Sequence, residues 1–193
     1  MTYHFRLLAL LAIGLMAVSC KNDNTPKPMG YYRIGFPAKT YHDIDTDYPF
    51  TCVIPDYCTL STSKDNSGEA YWYNLEYPSY NAKVHLTYYT TLDTTLSTYI
   101  ESSRQFAMEH IPKATAIKQK NIYIPQHDVY GLSYNIQGSG AASPIQFYVT
   151  DSVQHFLRGA LYFYNTPNND SVAPIINFID EDLGEIIKSL RWE

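Results

Sequence analysis

The sequence is short of positive charge, of cysteine and of the residue pairings that enzymes reuse. Lysine and arginine total 14 against 19 aspartates and glutamates, a formal net charge of −5. A mildly acidic chain with no basic cluster cannot neutralise a phosphate backbone, so nucleic acid is excluded as a partner. The six histidines never stand three to five residues apart, so no metal-ligating pair is offered. No G-x-S-x-G is present, and Gly138-Ser139-Gly140 lacks the rest of a phosphate loop. Asp43, Asp45 and Asp47 copy the opening of a calcium loop, but Tyr48 and Ile54 stand where an EF-hand needs Gly and Glu. They read as a solvated acidic loop. His155 lies near Asp151 and Ser152 like a fragment of a triad, yet all three fall in one hairpin turn, where Asp and Ser are simply turn formers. The chain therefore reads as a non-enzyme, with no catalytic residue, metal or cofactor expected.

Long apolar runs are equally scarce. The one present, Leu7 to Val18, follows Arg6 and is twelve residues long. A membrane-spanning helix needs about 20, so the run fits a cleaved export signal instead. It ends at Ala17-Val18-Ser19-Cys20, which resembles a bacterial lipobox with Ala17 in place of the usual leucine. In a lipobox the cysteine sulfur is acylated, the chain is cut before it, and the new amine receives a further chain such as palmitate. Only a thiol forms the thioether. Several chains, at about 0.8 kcal/mol per buried methylene, hold where one would not. The expected layout is a signal peptide at 1–19, an acylated tether at 20–30 containing KNDNTPKP, and one globular domain at 31–193.

Acylation of Cys20 leaves Cys52 and Cys58, in FTCVIPDYCTL. If Pro55 marks a tight turn, the two fall opposite each other on its arms. A disulfide, which an exported compartment permits, and a pair of small buried thiols are both open. Zinc is not favoured, since the spacing is wrong and no histidine pair accompanies it.

Along the domain, residues 31–49 look extended and irregular. Strands follow at Phe50–Ile54, Tyr57–Ser61, Ala70–Glu76 and Ala82–Thr90, the last two forming a hairpin across YPSYN. Asp93 or Thr94 caps a helix in which Leu96, Tyr99, Ile100, Ser103, Phe106 and Ala107 make the buried stripe. Strands resume at Ala116–Ile124, Val129–Gln137, Ile145–Thr150 and Val153–Tyr164. An amphipathic helix beginning near Pro174 closes the chain, weakened at Gly184. The order predicts an α+β fold, an antiparallel sheet covered by two helices. It resembles the PsbP/Mog1-like α/β/α sandwich.

Tyrosine is the commonest residue, with 19 copies. Tyr71, Trp72, Tyr73, Tyr77, Tyr80, Tyr88 and Tyr89 gather on one hairpin. Alternation sends half of them into the core and leaves half to stack on glycan rings or anchor a protein. Tyr31, Tyr32 and Arg33, just beyond the tether and poorly patterned for a core, have an interface composition and are the expected partner contacts.

The cysteine at 20, then PKPMGYYRIGFPAKTY, DYPFTCVIPDY and the closing amphipathic helix together resemble the gliding-motility lipoprotein GldD family of Bacteroidota. The most specific part runs from Pro26 to Tyr57. The resemblance implies a cell-envelope lipoprotein needed for gliding and associated with type IX protein secretion, with other gliding and secretion envelope proteins as partners and no assigned activity or cofactor. The segment after Cys20 carries a single acid, Asp23, among its first four residues. Surface-exported lipoproteins of such bacteria tend to carry an acidic cluster there, so the resemblance implies a periplasm-facing domain on the inner leaflet of the outer membrane, with inner-membrane retention as the alternative. The alternative from another class is an envelope lipoprotein that binds a glycan or small ligand.

Overall fold

The computed structural model describes Tyr3 and residues 34–44, 48–63, 70–91 and 96–193. The chain divides into two units, Met1–Gly30 and Tyr31–Glu193, and the second is described here. Its backbone is a seven-stranded antiparallel sheet. The strands are β4 (Thr59–Ser63), β5 (Ala70–Tyr77), β6 (Ala82–Thr90), β7 (Ala116–Ile124), β8 (Val129–Gln137), β9 (Ile145–Thr150) and β10 (His155–Phe163), in the spatial order β4-β5-β6-β10-β9-β8-β7. Helix α1 (Leu96–Met108) lies on one face and helix α2 (Ala173–Ser189) on the other. This is the expected α+β arrangement.

Two hairpins use one device. A proline-led single turn, Pro78–Tyr80 or Pro125–His127, is followed by a residue in the left-handed region, Asn81 (φ 48°) or Asp128 (φ 53°). Proline presets φ for the turn, and Asn and Asp are the side chains that best tolerate the left-handed step. The β9–β10 turn is held differently. Asp151 Oδ1 accepts hydrogen bonds from the backbone N–H of Val153, Gln154 and His155, each at 2.9 Å. Asp151 thus does the work of a turn former.

Side-chain alternation divides the sheet's two faces. Val84, Leu86, Tyr88, Leu157 and Leu161 point to the α2 side, against Ile176, Ile179, Leu183 and Ile187. Tyr134, Ile136, Tyr148 and Phe156 point to the α1 side, with Ala107. On β10 only glycine fits at 159, because a Cβ there would meet the Phe147 ring at 2.2 Å.

The structure departs from expectation in four places. The strand expected over Phe50–Ile54 is two strands with different partners. β2 (Phe50–Thr51) pairs with a C-terminal strand, β11 (Arg191–Trp192), while β3 (Val53–Pro55) pairs with β1 (Tyr41–Asp43). Residues 31–49 are therefore not wholly irregular. Pro55 both ends a strand and opens the turn, its carbonyl accepting from the Cys58 N–H at 3.0 Å, so β4 begins two residues later than expected. Phe106, assigned to the buried stripe of α1, is 43% exposed, and Ser103 and Ala107 are the buried pair. The expected caps Asp93 and Thr94 lie outside the described residues, as do Asp45 and Asp47.

Candidate functional site

The segment that leads out of the tether is fastened to the C-terminal helix around one carboxylate. Asp182 lies on the buried face of α2 with its side chain fully out of solvent. A buried carboxylate is costly unless its lone pairs are satisfied, and three side chains satisfy these. Lys39 Nζ donates to Oδ1 at 2.8 Å, Tyr41 Oη to Oδ1 at 2.9 Å, and Tyr57 Oη reaches both oxygens at 2.9 and 2.8 Å. Partial burial, then the bond to Asp182, pushes both phenols well above their ordinary range, so they remain protonated donors. Lys39 also donates to the Phe178 carbonyl at 2.8 Å, sits 4.0 Å over the Phe178 ring and pairs with Glu181 at 3.2 Å. Phe36 stacks on the same ring at 4.5 Å. Residues 36–41 thus form a strap held by charge, hydrogen bonds and aromatic contact at once.

A groove of about 470 Å³ runs between α2 and the β7 edge of the sheet. Asp180, Gly184 and Lys188, spaced by four along α2, form one wall, with Lys118, Lys120 and Ser133 opposite. Phe147 and Leu183 lie beneath. Partial desolvation raises the Asp180 carboxyl above its usual range, against the pull of Lys120. Gly184 borders open space, since a Cβ there would meet nothing within 4 Å. Gly184→Ala is therefore expected to stabilise the fold by about 1 kcal/mol through helix propensity alone. Urea unfolding checks this, and a loss of stability would show that the helix needs glycine for packing.

The face of the sheet that carries α1 is only partly covered. The register sets Trp72, Thr87 and Arg158 side by side across β5, β6 and β10, with Asn74, His85 and Ala160 in the next row. Trp72 is 41% exposed and Tyr71 is exposed, while Tyr73, Tyr77 and Tyr88 are buried and Tyr89 is half-buried in a stack on Tyr99. The aromatic hairpin divides between core and surface, but not by alternation alone: Tyr71 shares a face with buried Tyr73, Tyr77 and Tyr88 and is still exposed.

Of the residues expected to be functional, Cys20, Tyr31, Tyr32 and Arg33 lie outside the described residues. Cys52 and Cys58 are both buried, and in the structure their thiols are free. The turn runs from Pro55 to Cys58, and Val53–Pro55 between the two cysteines pairs with β1. Burial pushes both thiols up to about 12, so neither is a nucleophile at neutral pH. Among the described residues no cluster of His, Cys, Asp and Glu could hold a metal ion, and no helix is long and apolar enough to cross a membrane. The residues missed in the sequence are Lys39, Tyr41, Tyr57 and Asp182. A signal was there: Asp182 interrupts the apolar stripe Ile179, Leu183, Ile186 of a terminal helix.

A family model described as gliding motility lipoprotein GldD matches residues 21–192. No curated protein matches the chain at a significant level. The solution structure of cyanobacterial PsbP (CyanoP) from Synechocystis sp. PCC 6803 superposes with a TM-score of 0.50 at 9% identity, over 84% of this chain and 98% of that one. At that identity the likeness establishes a common fold and nothing about activity.

Proposed function

Because the chain belongs to the gliding motility lipoprotein GldD family, and is thereby an envelope-associated, lipid-anchored protein, we propose that its folded unit is a non-catalytic interaction module supporting gliding and type IX secretion. The observation that carries this reading is the strap. The chain leaving the tether is locked to the core through Asp182 rather than hanging from it. A load on the anchor is then borne by a buried ion pair and an aromatic stack, which suits a component that must hold its place beside moving partners.

In this reading Cys20 carries the acyl chains, and the domain faces the periplasm from the outer membrane. The 14 residues from Cys20 to Ile34 can span at most about 50 Å when fully extended. That keeps the body close to the bilayer and raises its effective concentration toward neighbours in the same membrane. Tyr31, Tyr32 and Arg33 come immediately before the strap, where a partner contact would be positioned by the clamp behind it. A photo-crosslinker at position 32 in gliding cells is expected to capture other envelope proteins of the motility and secretion machinery. Joint Tyr31→Ala, Tyr32→Ala and Arg33→Ala substitution should reduce their recovery at least tenfold while leaving membrane extraction unchanged. Undiminished recovery would remove these three residues from the interface.

A further inference from the structure

Arg158 stands near the middle of the sheet, on the partly uncovered face, and is not paired with an acid: among the described residues it has no carboxylate within ion-pair distance. Its polar contact is a 3.3 Å hydrogen bond from Nη2 to Gln146 Oε1, and its buried Nε has no partner at all. The guanidinium lies 4.3 Å from the centre of the Phe106 ring, which explains why Phe106 stays at the surface of α1 instead of entering the core. Burial lowers the guanidinium's proton affinity, more than the more distant Glu109 carboxylate restores it. A fold that needed only packing here would be served as well by methionine or leucine, because desolvated charge is expensive unless something repays it.

The surroundings say what could answer the charge. Arg158 lines an open pocket of about 310 Å³ with His85, Thr87, Ala160 and Tyr162, in which no acid takes part. Glu109, just past the end of α1, is the acid whose charge reaches Arg158, but it is not within ion-pair distance; Glu76, on the same face, is engaged with Lys83 at 3.4 Å and with the Tyr164 hydroxyl at 2.9 Å. Two strands from Arg158 in the register, hence about 10 Å away, lies the exposed indole of Trp72. Between them sit the hydroxyl of Thr87 and, in the adjoining row, Asn74 and His85. An aromatic plate, a strip of neutral donors and acceptors, and an unpaired guanidinium are three different requirements. A carboxylate alone uses only the last.

We propose that this face binds an acidic saccharide, its ring stacked on Trp72, its hydroxyls met by Asn74, Thr87 and His85, and its carboxylate paired with Arg158. A sugar ring has an apolar C–H face suited to indole and an equator of hydroxyls suited to neutral polar side chains. The planar fork of arginine matches a carboxylate better than any other side chain does. The site is independent of the strap, which packs against α2 on the other side of the sheet.

The test uses the mature full-length lipoprotein in detergent micelles, with oligogalacturonate as the probe, its methyl-esterified form as the neutral control and sodium sulfate as the bare-anion control. Calorimetry is expected to show the acid form binding at least tenfold more tightly than the ester, and sulfate more weakly than either. In a Trp192→Phe background, which isolates Trp72, the acid form should shift the indole emission. Arg158→Gln should reduce acid affinity to the level of the ester. Trp72→Ala, at an exposed position that the fold tolerates, should weaken acid and ester together. Equal affinity for acid and ester, sulfate matching the oligosaccharide, no binding of any probe, or unchanged binding in Trp72→Ala would each overturn the assignment. Should Arg158→Gln not fold, the ester comparison and the Trp72 variant decide the matter without it.

Discussion

Replacing Asp182 with alanine is expected to lower the unfolding free energy by about 3 kcal/mol, the low end of what breaking a buried ion pair costs. The loss has two parts. Lys39 keeps its charge without its buried acceptor, and Tyr41 and Tyr57 lose the oxygen to which their hydroxyls donate. Lys39 is 27% exposed and still has Glu181, so its ammonium can turn to water, and this holds the figure down. Tyr57 and Tyr41 are also partly open, whereas Asp182 is not. Asp182→Asn, which retains an acceptor, should cost less than alanine. Urea unfolding with unchanged m-value checks both. The strap should loosen before the sheet does. Hydrogen exchange should accelerate first at the Asp56 amide, which bonds the Thr40 carbonyl at 3.0 Å, and at Ile44, which bonds Cys52 at the same distance. A variant as stable as the parent, with those amides still protected, would mean that the clamp contributes nothing net.

Cys20→Ala carries the largest expected effect on behaviour, and it leaves the fold untouched. With no sulfur there is no thioether, and the chain should either accumulate as uncleaved precursor or leave the membrane fraction. Acyl chains contribute about 0.8 kcal/mol per methylene buried, so losing them outweighs any contact a mildly acidic domain could make with a bilayer. Intact-mass measurement of the extracted protein, beside carbonate extraction of membranes, reads the result. A parent protein with a free thiol at residue 20, or a variant that still partitions and matures normally, would refute acylation. Paired with the Asp182 variant, this separates two functions of the N-terminal region. One change releases the anchor and spares the domain; the other keeps the anchor and frees the strap from the helix.

The main strands and both helices were legible because their signals are local. Ala82–Thr90 alternates and Leu96–Met108 repeats at three to four residues, and both elements lie where those periods place them. Prolines and Asn or Asp marked the hairpin turns for reasons internal to four residues. What periodicity could not supply was the pairing of short pieces. Phe50–Thr51 and Val53–Pro55 read as one strand because both are extended, and only the arrival of Arg191–Trp192 and Tyr41–Asp43 divides them. Phe106 fits the apolar stripe by spacing, yet a cation on β10 keeps it at the surface.

The sequence by itself pointed to an export signal and its cysteine and determined the lack of familiar enzyme motifs, the alternating strands and the family, since each of these is written in neighbouring residues. Tertiary structure alone decided that the chain beyond the tether is clamped to the last helix, with Lys39 meeting Asp182 across 143 positions. It alone left Arg158, among the described residues, with no carboxylate in ion-pair distance on an open face. Contacts between residues so far apart leave no periodic trace along the chain, because they depend on which surfaces meet after the sheet has formed.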